Sequence, residues 1–394
     1  ELLGAILLNT LAITNYRSLQ DIVVPLSNLN LVTGPNGSGK SNIYRALRLL
    51  AETARGGVIS SLAREGGLDS TFWAGPKVIS AAMKRGNAAI QGTHDNSRKR
   101  LKLGFAGTEF SYAVALGITP PVPYPSAFNL DPEIKREAIW QGELYRPASS
   151  LLERKDNLVK IRHARNWNVI CQHLPMYESI FTHLADPGQA PEVMALREYI
   201  KQWRFYDHFR TDQEAPSRLP QLGSRTLALS HDGADLAAAL QTIIEIGDGE
   251  GLAKAVDEAF PGATLNVQVT EDGHFSVLFR QQGLLRPLTG KELSDGTLRF
   301  LLWVAALLTP RPPALMVINE PETSLHPDLL PALANLIVKA SQSTQVWVVS
   351  HAPVLINLLQ RVEGCNAIRL QKEIGQTLIT GQDRLTAPAW NWPT

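Results

Sequence analysis

The segment Gly34-Pro35-Asn36-Gly37-Ser38-Gly39-Lys40-Ser41 constrains this chain more than any other. It fits the pattern G-x-x-x-x-G-K-[ST] in every fixed position. Its glycines let the backbone wrap a phosphate chain with N–H groups turned inward. An apolar strand predicted over 28–33 runs straight into it, and a helix predicted from about Lys40 to Ala54 follows, adding a positive dipole end to the cradle. In such a loop the lysine, Lys40, reaches the β- and γ-phosphates, and the hydroxyl of Ser41 binds Mg2+. Asn36, Gly37, Ser38, Gly39, Lys40, Ser41 and Asn42 are therefore the candidate phosphate-binding residues, and ATP with Mg2+ is the implied ligand.

Composition narrows the class further. The chain has 394 residues, 44% of them hydrophobic, which is material for a large core in one composite domain or two or three ordinary ones. A net charge of +1 gives no global electrostatic case for nucleic acid or membrane binding. Cys171 and Cys365 are the only cysteines, too few for a disulfide framework, and a reducing, cytoplasmic setting is expected. The longest apolar run, Phe300 to Leu308, is too short to span a bilayer, so no membrane insertion is expected. The apolar start ELLGAILLNTLAI lacks a basic flank and a small-residue cleavage site and reads as the lead-in to a first strand rather than a signal peptide.

Strand-type segments are predicted at 6–14 and 21–25, antiparallel strands across 101–117, and further strands at 138–145, 158–162 and 166–171. The prolines at 120, 121, 123, 125 and 132 predict a surface loop over 119–132. Residues 174–203 read as helical and 211–225 as a loop. Helices are expected at about 233–246 and 250–259, and strands at 263–269 and 274–280. The last third alternates: helix 296–308, strand 314–319, helix 327–340, strand 344–349, helix 353–360. Such alternation implies a mainly parallel sheet covered on both faces.

A nucleotide-hydrolysing site needs a water-activating carboxylate at the tip of a second strand. Leu315-Met316-Val317-Ile318 is an apolar strand that ends in Asn319-Glu320-Pro321-Glu322. This resembles the Walker B strand of ABC-type ATPases, whose usual ending is Asp-Glu. The resemblance implies that Glu320 is the general base and that Asn319, in the usual Asp position, assists Mg2+ without a charge of its own. Glu322 reads as a solvated neighbour or a dimer contact. Val346 to Val349 is another apolar strand and ends in Ser350-His351, 31 residues after Glu320. It is similar to the switch histidine of ABC heads, which implies that His351 senses the γ-phosphate. Leu293-Ser294-Asp295-Gly296-Thr297 resembles the LSGGQ signature, with Asp for the first Gly and Thr for Gln. That implies Ser294 and Gly296 contact ATP on a second subunit, in an ATP-dependent homodimer.

Leu325-His326-Pro327 and the opening Asn15-Tyr16-Arg17-Ser18 resemble the SMC/RecF/OLD-like branch of ABC-type ATPases, and within it the stand-alone bacterial AAA-family members. The resemblance is strongest over 1–55 and 285–360. It implies a P-loop NTPase with an ABC/RecF-like α/β head: a mainly parallel sheet, an antiparallel β-subdomain and a helical lobe. The expected division is an N-terminal core part at 1–170, a mainly helical lobe at 171–260 and a C-terminal core part at 261–394. Lys40 and Ser294 are 254 residues apart, so the head carries a sizeable insert. Heptad arrays are absent, and 43 residues follow His351, too few for a fused nuclease of the OLD type. The glutamine that ABC heads use beside Mg2+ has three candidates here, Gln141, Gln172 and His183.

Weaker signals have bland readings. Lys84-Arg85 and Arg98-Lys99-Arg100-Lys102 read as a solvated strand flank before a nucleic-acid contact. Trp203 to Arg210 reads as core packing before base stacking. Cys171, His173 and His183 lack metal-site spacing. The leading expectation is an ATPase that closes as a dimer around ATP and drives or gates an effector protein or nucleic acid, in DNA repair or anti-phage defence. The rivals are an ATP-dependent binding module with little turnover and the nucleotide-binding subunit of a transporter.

Overall fold

The computed structural model describes residues 7–76, 79–85, 87–89, 99–119, 128, 131–164, 166–184, 188, 190–383 and 385–393. Most of the predicted 119–132 loop, and Arg98 of the basic stretch, fall outside these residues. The chain forms two compact units. The first comprises 1–27, 34–202 and 368–394, the second 28–33 and 203–367.

The first unit is built on an eight-stranded antiparallel sheet in the order Leu19–Pro25, Leu8–Tyr16, Leu101–Gly107, Phe110–Ile118, Pro132–Gln141, Ser150–Lys155, Leu158–His163, Asn166–Cys171. The helix Lys40–Arg55 buries Ile43, Ala46, Leu47, Leu50 and Ala54. Their three- and four-residue spacing makes one apolar stripe along the helix. Glu137, fully buried, is the polar centre of this unit. Its carboxylate accepts from Tyr112 Oη at 2.7 Å, Ser179 Oγ at 2.6 Å, the Ile180 amide at 3.0 Å and Arg154 Nη1 at 2.9 Å. Burial and the adjacent carboxylate push the Tyr112 phenol well above its usual pKa.

The second unit holds a parallel sheet in the order Arg204–Tyr206, Leu315–Asn319, Gln345–Val349, Leu29–Thr33. The last two strands are buried at every position and the Leu315 strand at all but its final residue, which is why they read as unbroken apolar runs. Helices Leu236–Ile246, Gly249–Ala259, Leu330–Ala340 and Pro353–Gln360 contribute to its core. In the helix Asp295–Leu307, every residue from Thr297 onward is buried, the mark of a helix packed on all sides.

Several boundaries differ from the sequence reading, each for a physical reason. The strand expected at 138–145 is Pro132–Gln141, closed by a turn at Gly142 with φ 78°. Ser150–Lys155 was not expected as a strand, because SLLERK alternates weakly and is half charged. Within 174–203, only Ile180–His183 and Pro191–Lys201 are helical among the described residues, the first capped by Ser179 and the second opened by its proline. Inside the aromatic segment 203–210 lies the edge strand Arg204–Tyr206, too short for a periodicity to register. Its neighbours do pack in the core: Trp203 is buried, and the Phe209 and Trp303 rings meet at 4.9 Å.

Removing the Glu137 carboxylate would leave the buried Arg154 charge uncompensated. Glu137→Ala is therefore expected to cost about 3–5 kcal/mol of stability, read as a lower denaturant midpoint in urea unfolding followed by circular dichroism.

Candidate functional site

In the first unit, the loop from Gly34 to Gly39 turns through three left-handed backbone positions, Gly34 with φ 151°, Gly37 with φ 77° and Gly39 with φ 104°. Space is as restrictive as the torsions. A Cβ on Gly34 would lie 2.6 Å from the Leu370 carbonyl oxygen and 2.6 Å from Ser38 Oγ, and one on Gly39 would overlap the Thr377 side chain. Lys40 is buried, and its ammonium donates to the carbonyls of Gly34 at 2.6 Å and Pro35 at 3.2 Å. Ser38 is 1% exposed, yet its hydroxyl has no hydrogen-bond partner among the described residues. The helix that starts at Lys40 has no side-chain cap and no acidic residue in its first turn. A buried cation, an unsatisfied buried hydroxyl and an uncapped helix N-terminus, set around glycines, fit a bound triphosphate. Ser41 is exposed at the helix start, and Asn36 and Gly37 are exposed on the loop.

The loop is braced from behind by residues distant in sequence. Thr377 Oγ1 donates to the Ser38 carbonyl at 2.8 Å, lies 2.6 Å from Ser18 Oγ, and its amide donates to the Ser18 carbonyl at 2.9 Å. Asn42 donates its side-chain amide to Ser18 Oγ at 2.8 Å, so this side chain braces the loop. The neighbours Tyr16 and Arg17 converge on Glu65, at 2.7 and 2.8 Å. Within the Asn-Tyr-Arg-Ser opening, Ser18 thus has a local task in holding the loop. Thr377, in the hairpin Cys365–Glu373 and Gln376–Ile379, was missed because nothing in its own neighbourhood in sequence marks it.

In the second unit, register sets the geometry. Asn319 stands beside Val349 and Val349 beside Val32, so three parallel strands end level with one another. At the tip of the Leu315 strand, Glu320 adopts φ 48°, a left-handed backbone that costs energy for a residue with a Cβ. Its amide donates to the Val349 carbonyl at 2.7 Å. His351 Nδ1 lies 3.4 Å from Glu320 Oε1 and 3.5 Å from Glu322 Oε1. Glu320 and His351 are about half exposed, so both side chains are accessible to a ligand. The predicted pair of strand-tip residues is therefore brought together.

Glu322 departs from the expectation of a solvated or dimer-contacting side chain. It is buried, and its Oε1 accepts from Ser350 Oγ at 2.7 Å, the His351 amide at 2.9 Å and the Ala352 amide at 3.1 Å. It fixes the turn that carries His351. Ser294 caps the helix Asp295–Leu307, accepting from the Thr297 amide at 3.1 Å, and is itself exposed. Gly296 stands against the Ser324 carbonyl, 3.3 Å from where a Cβ would be. Of the three glutamine-loop candidates, Gln141 ends its strand exposed, Gln172 is exposed after the outermost strand, and His183 faces Glu178 at 3.5 Å. In the basic stretch, Lys99 donates to the Trp73 carbonyl at 3.1 Å and Lys102 stacks over Trp392, where burial lowers its pKa. No helix among the described residues is long and apolar enough to cross a membrane.

A family model described as "AAA domain, putative AbiEii toxin, Type IV TA system" matches residues 29–357. Among solved structures, an Smc head bound to the C-winged helix domain of ScpA aligns over 97% of this chain and 99% of its own, at 12% identity and a TM-score of 0.51. An Smc head with an extended coiled coil, bound to the C-terminal domain of ScpA derived from Pyrococcus furiosus, aligns over 95% and 96% at 11% identity and 0.49. The SMC head domain from Thermotoga maritima aligns over 95% and 99% at 13% identity and 0.44. No curated protein matches the chain. The first of these structures shows the fold, that of an Smc head.

Glu322→Ala would leave the Ser350 hydroxyl and the His351 amide without their acceptor, and the Ala352 amide with Ser350 Oγ alone at 3.2 Å, whereas Glu322→Gln keeps a carbonyl oxygen there. The alanine variant is expected to lose about 1–3 kcal/mol and the glutamine variant less, measured as the drop in thermal unfolding midpoint.

Proposed function

The chain belongs to this AAA-domain family, and we propose that it binds and hydrolyses ATP and uses the cycle to join and release two copies of itself. Lys40 and the loop amides hold the phosphates, and Ser41 with Asn319 holds Mg2+. Bound there, Mg2+ neutralises phosphate charge. Glu320 takes a proton from the attacking water as general base, and His351 hydrogen-bonds the γ-phosphate and registers its loss. Ser294 and Gly296 meet the triphosphate carried by the second copy, so hydrolysis releases the pair.

The observation that carries this reading is the Glu320 backbone. A non-glycine residue is held at φ 48° on the tip of a buried strand, with His351 3.4 Å from its carboxylate. Strain of this kind persists where surrounding structure fixes a functional side chain. The cycle moves a partner, an effector protein or nucleic acid. One Smc head of similar fold is itself bound to the C-winged helix domain of ScpA, and a protein partner is the version favoured here.

Asn319 supports a slower second reading. An amide carries no charge toward Mg2+, so ATP would act chiefly as dimer glue with little turnover. Steady-state phosphate release tests both readings together. Glu320→Gln is expected to lose about 100-fold or more in turnover while accumulating as an ATP-bound dimer in size-exclusion chromatography. Undiminished turnover would remove Glu320 as the base. A large gain in Asn319→Asp marks the glue reading, and little change marks the working ATPase.

A further inference from the structure

Arg218 lies in the short 3-10 turn Pro216–Arg218, within the segment the sequence marks only as loop, and its side chain is 4% exposed. All three guanidinium nitrogens are engaged. Nε donates to the carbonyls of Thr211 at 2.9 Å and Asp212 at 3.0 Å. Nη1 donates to those of Gly290 at 3.1 Å and Leu293 at 2.6 Å. Nη2 donates to the Thr211 carbonyl at 2.7 Å and to Asp295 Oδ1 at 2.6 Å. The fork ties residues 211–212, the turn Gly290–Glu292 and the first residue of the helix Asp295–Leu307 into one rigid corner. Contact is close on the backbone side too, since a Cβ on Gly290 would lie 2.8 Å from the Arg218 carbonyl oxygen. One turn along the same helix, Arg299 donates to the Phe209 carbonyl at 3.1 Å and Thr211 Oγ1 at 3.2 Å. Ser294 and Gly296 sit directly on this corner.

Asp295 now has a physical reason. It stands where the signature segment of related ATPases has glycine, and a lone carboxylate beside a phosphate-binding surface would repel it. Here the carboxylate is paired with a buried guanidinium, which cancels its charge and fixes the helix start. We propose that Arg218 and Asp295 are positioning residues for ATP-dependent pairing, holding Ser294 and Gly296 in the orientation that receives the triphosphate of a second copy. This rests on the reading that the 293–297 segment acts on the opposite subunit. A lysine cannot replace the guanidinium, because a single ammonium cannot span three segments.

The test uses the full chain in the Glu320→Gln background with ATP and Mg2+, and measures the dimer dissociation constant by sedimentation equilibrium. Nucleotide affinity of the protomer is measured separately with a fluorescent ATP analogue. Asp295→Lys is the decisive variant, because Asp295 is 64% exposed, and the fold of each variant is checked by circular dichroism before its dimer is measured. If the segment attracted phosphate by charge alone, the added cation would tighten the dimer. The positioning role expects a dissociation constant raised tenfold or more in both Asp295→Lys and Arg218→Lys, with protomer nucleotide affinity within twofold of the parent. An unchanged or tighter Asp295→Lys dimer, or an equal loss of nucleotide affinity in both variants, overturns the proposal while leaving the trans reading intact. A parent that stays monomeric with ATP bound overturns the trans reading, and the proposal with it.

Discussion

Everything in the second unit follows from the parallel pairing of three buried strands. Parallel strands start and end on the same sides of a sheet, and here Val32, Val349 and Asn319 lie in one row. The chain therefore leaves the Gln345 and Leu315 strands from one rim, running into Ser350-His351 and into Glu320. Burial over nearly the whole length of these strands makes the register hard to slip. A one-residue shift would reverse which side chains meet the helices on either face. Glu320 and His351 stand just beyond the row, where the backbone is free to turn.

Two kinds of brace hold those turns. At the strand tips, a buried carboxylate, Glu322, satisfies three donors from Ser350, His351 and Ala352. In the first unit, a relay of donors runs from Asn42 to Ser18, to Thr377 and to the Ser38 carbonyl. Both braces act on backbone that must keep a shape it would not hold alone: glycines in left-handed torsions in one case, and the segment after a strained Glu320 in the other. A ligand that meets such preset donors has less ordering entropy to offset on binding.

The parts legible in the sequence are those whose chemistry is local. The glycine loop, Lys40 and Ser41 are adjacent, and the strand–loop–helix context follows from an apolar run before and a helical stripe after. Glu320 and His351 were marked by apolar strands that stop abruptly at polar residues. What stayed hidden depends on pairing across long separations. Ser18 and Thr377 are 359 residues apart and Arg218 and Asp295 are 77 apart, and hydrogen bonds between such residues leave no period in the sequence. Glu322 was misread as solvated because a glutamate near a strand end is ordinarily exposed, and only the fold brings three donors to it. Ser150–Lys155 escaped as a strand because Arg154 serves an interior ion pair with Glu137, whereas composition alone would assign it to the surface.

The central claim is that the Gly34–Ser41 loop binds a nucleoside triphosphate through Lys40. Isothermal titration of the purified chain with ATP and Mg2+ tests it most directly, comparing the native protein with Lys40→Ala. The account expects one ATP per chain and a loss of measurable binding in the variant. Binding of equal strength in both, or no heat from the native chain with protein shown to be folded, would contradict it.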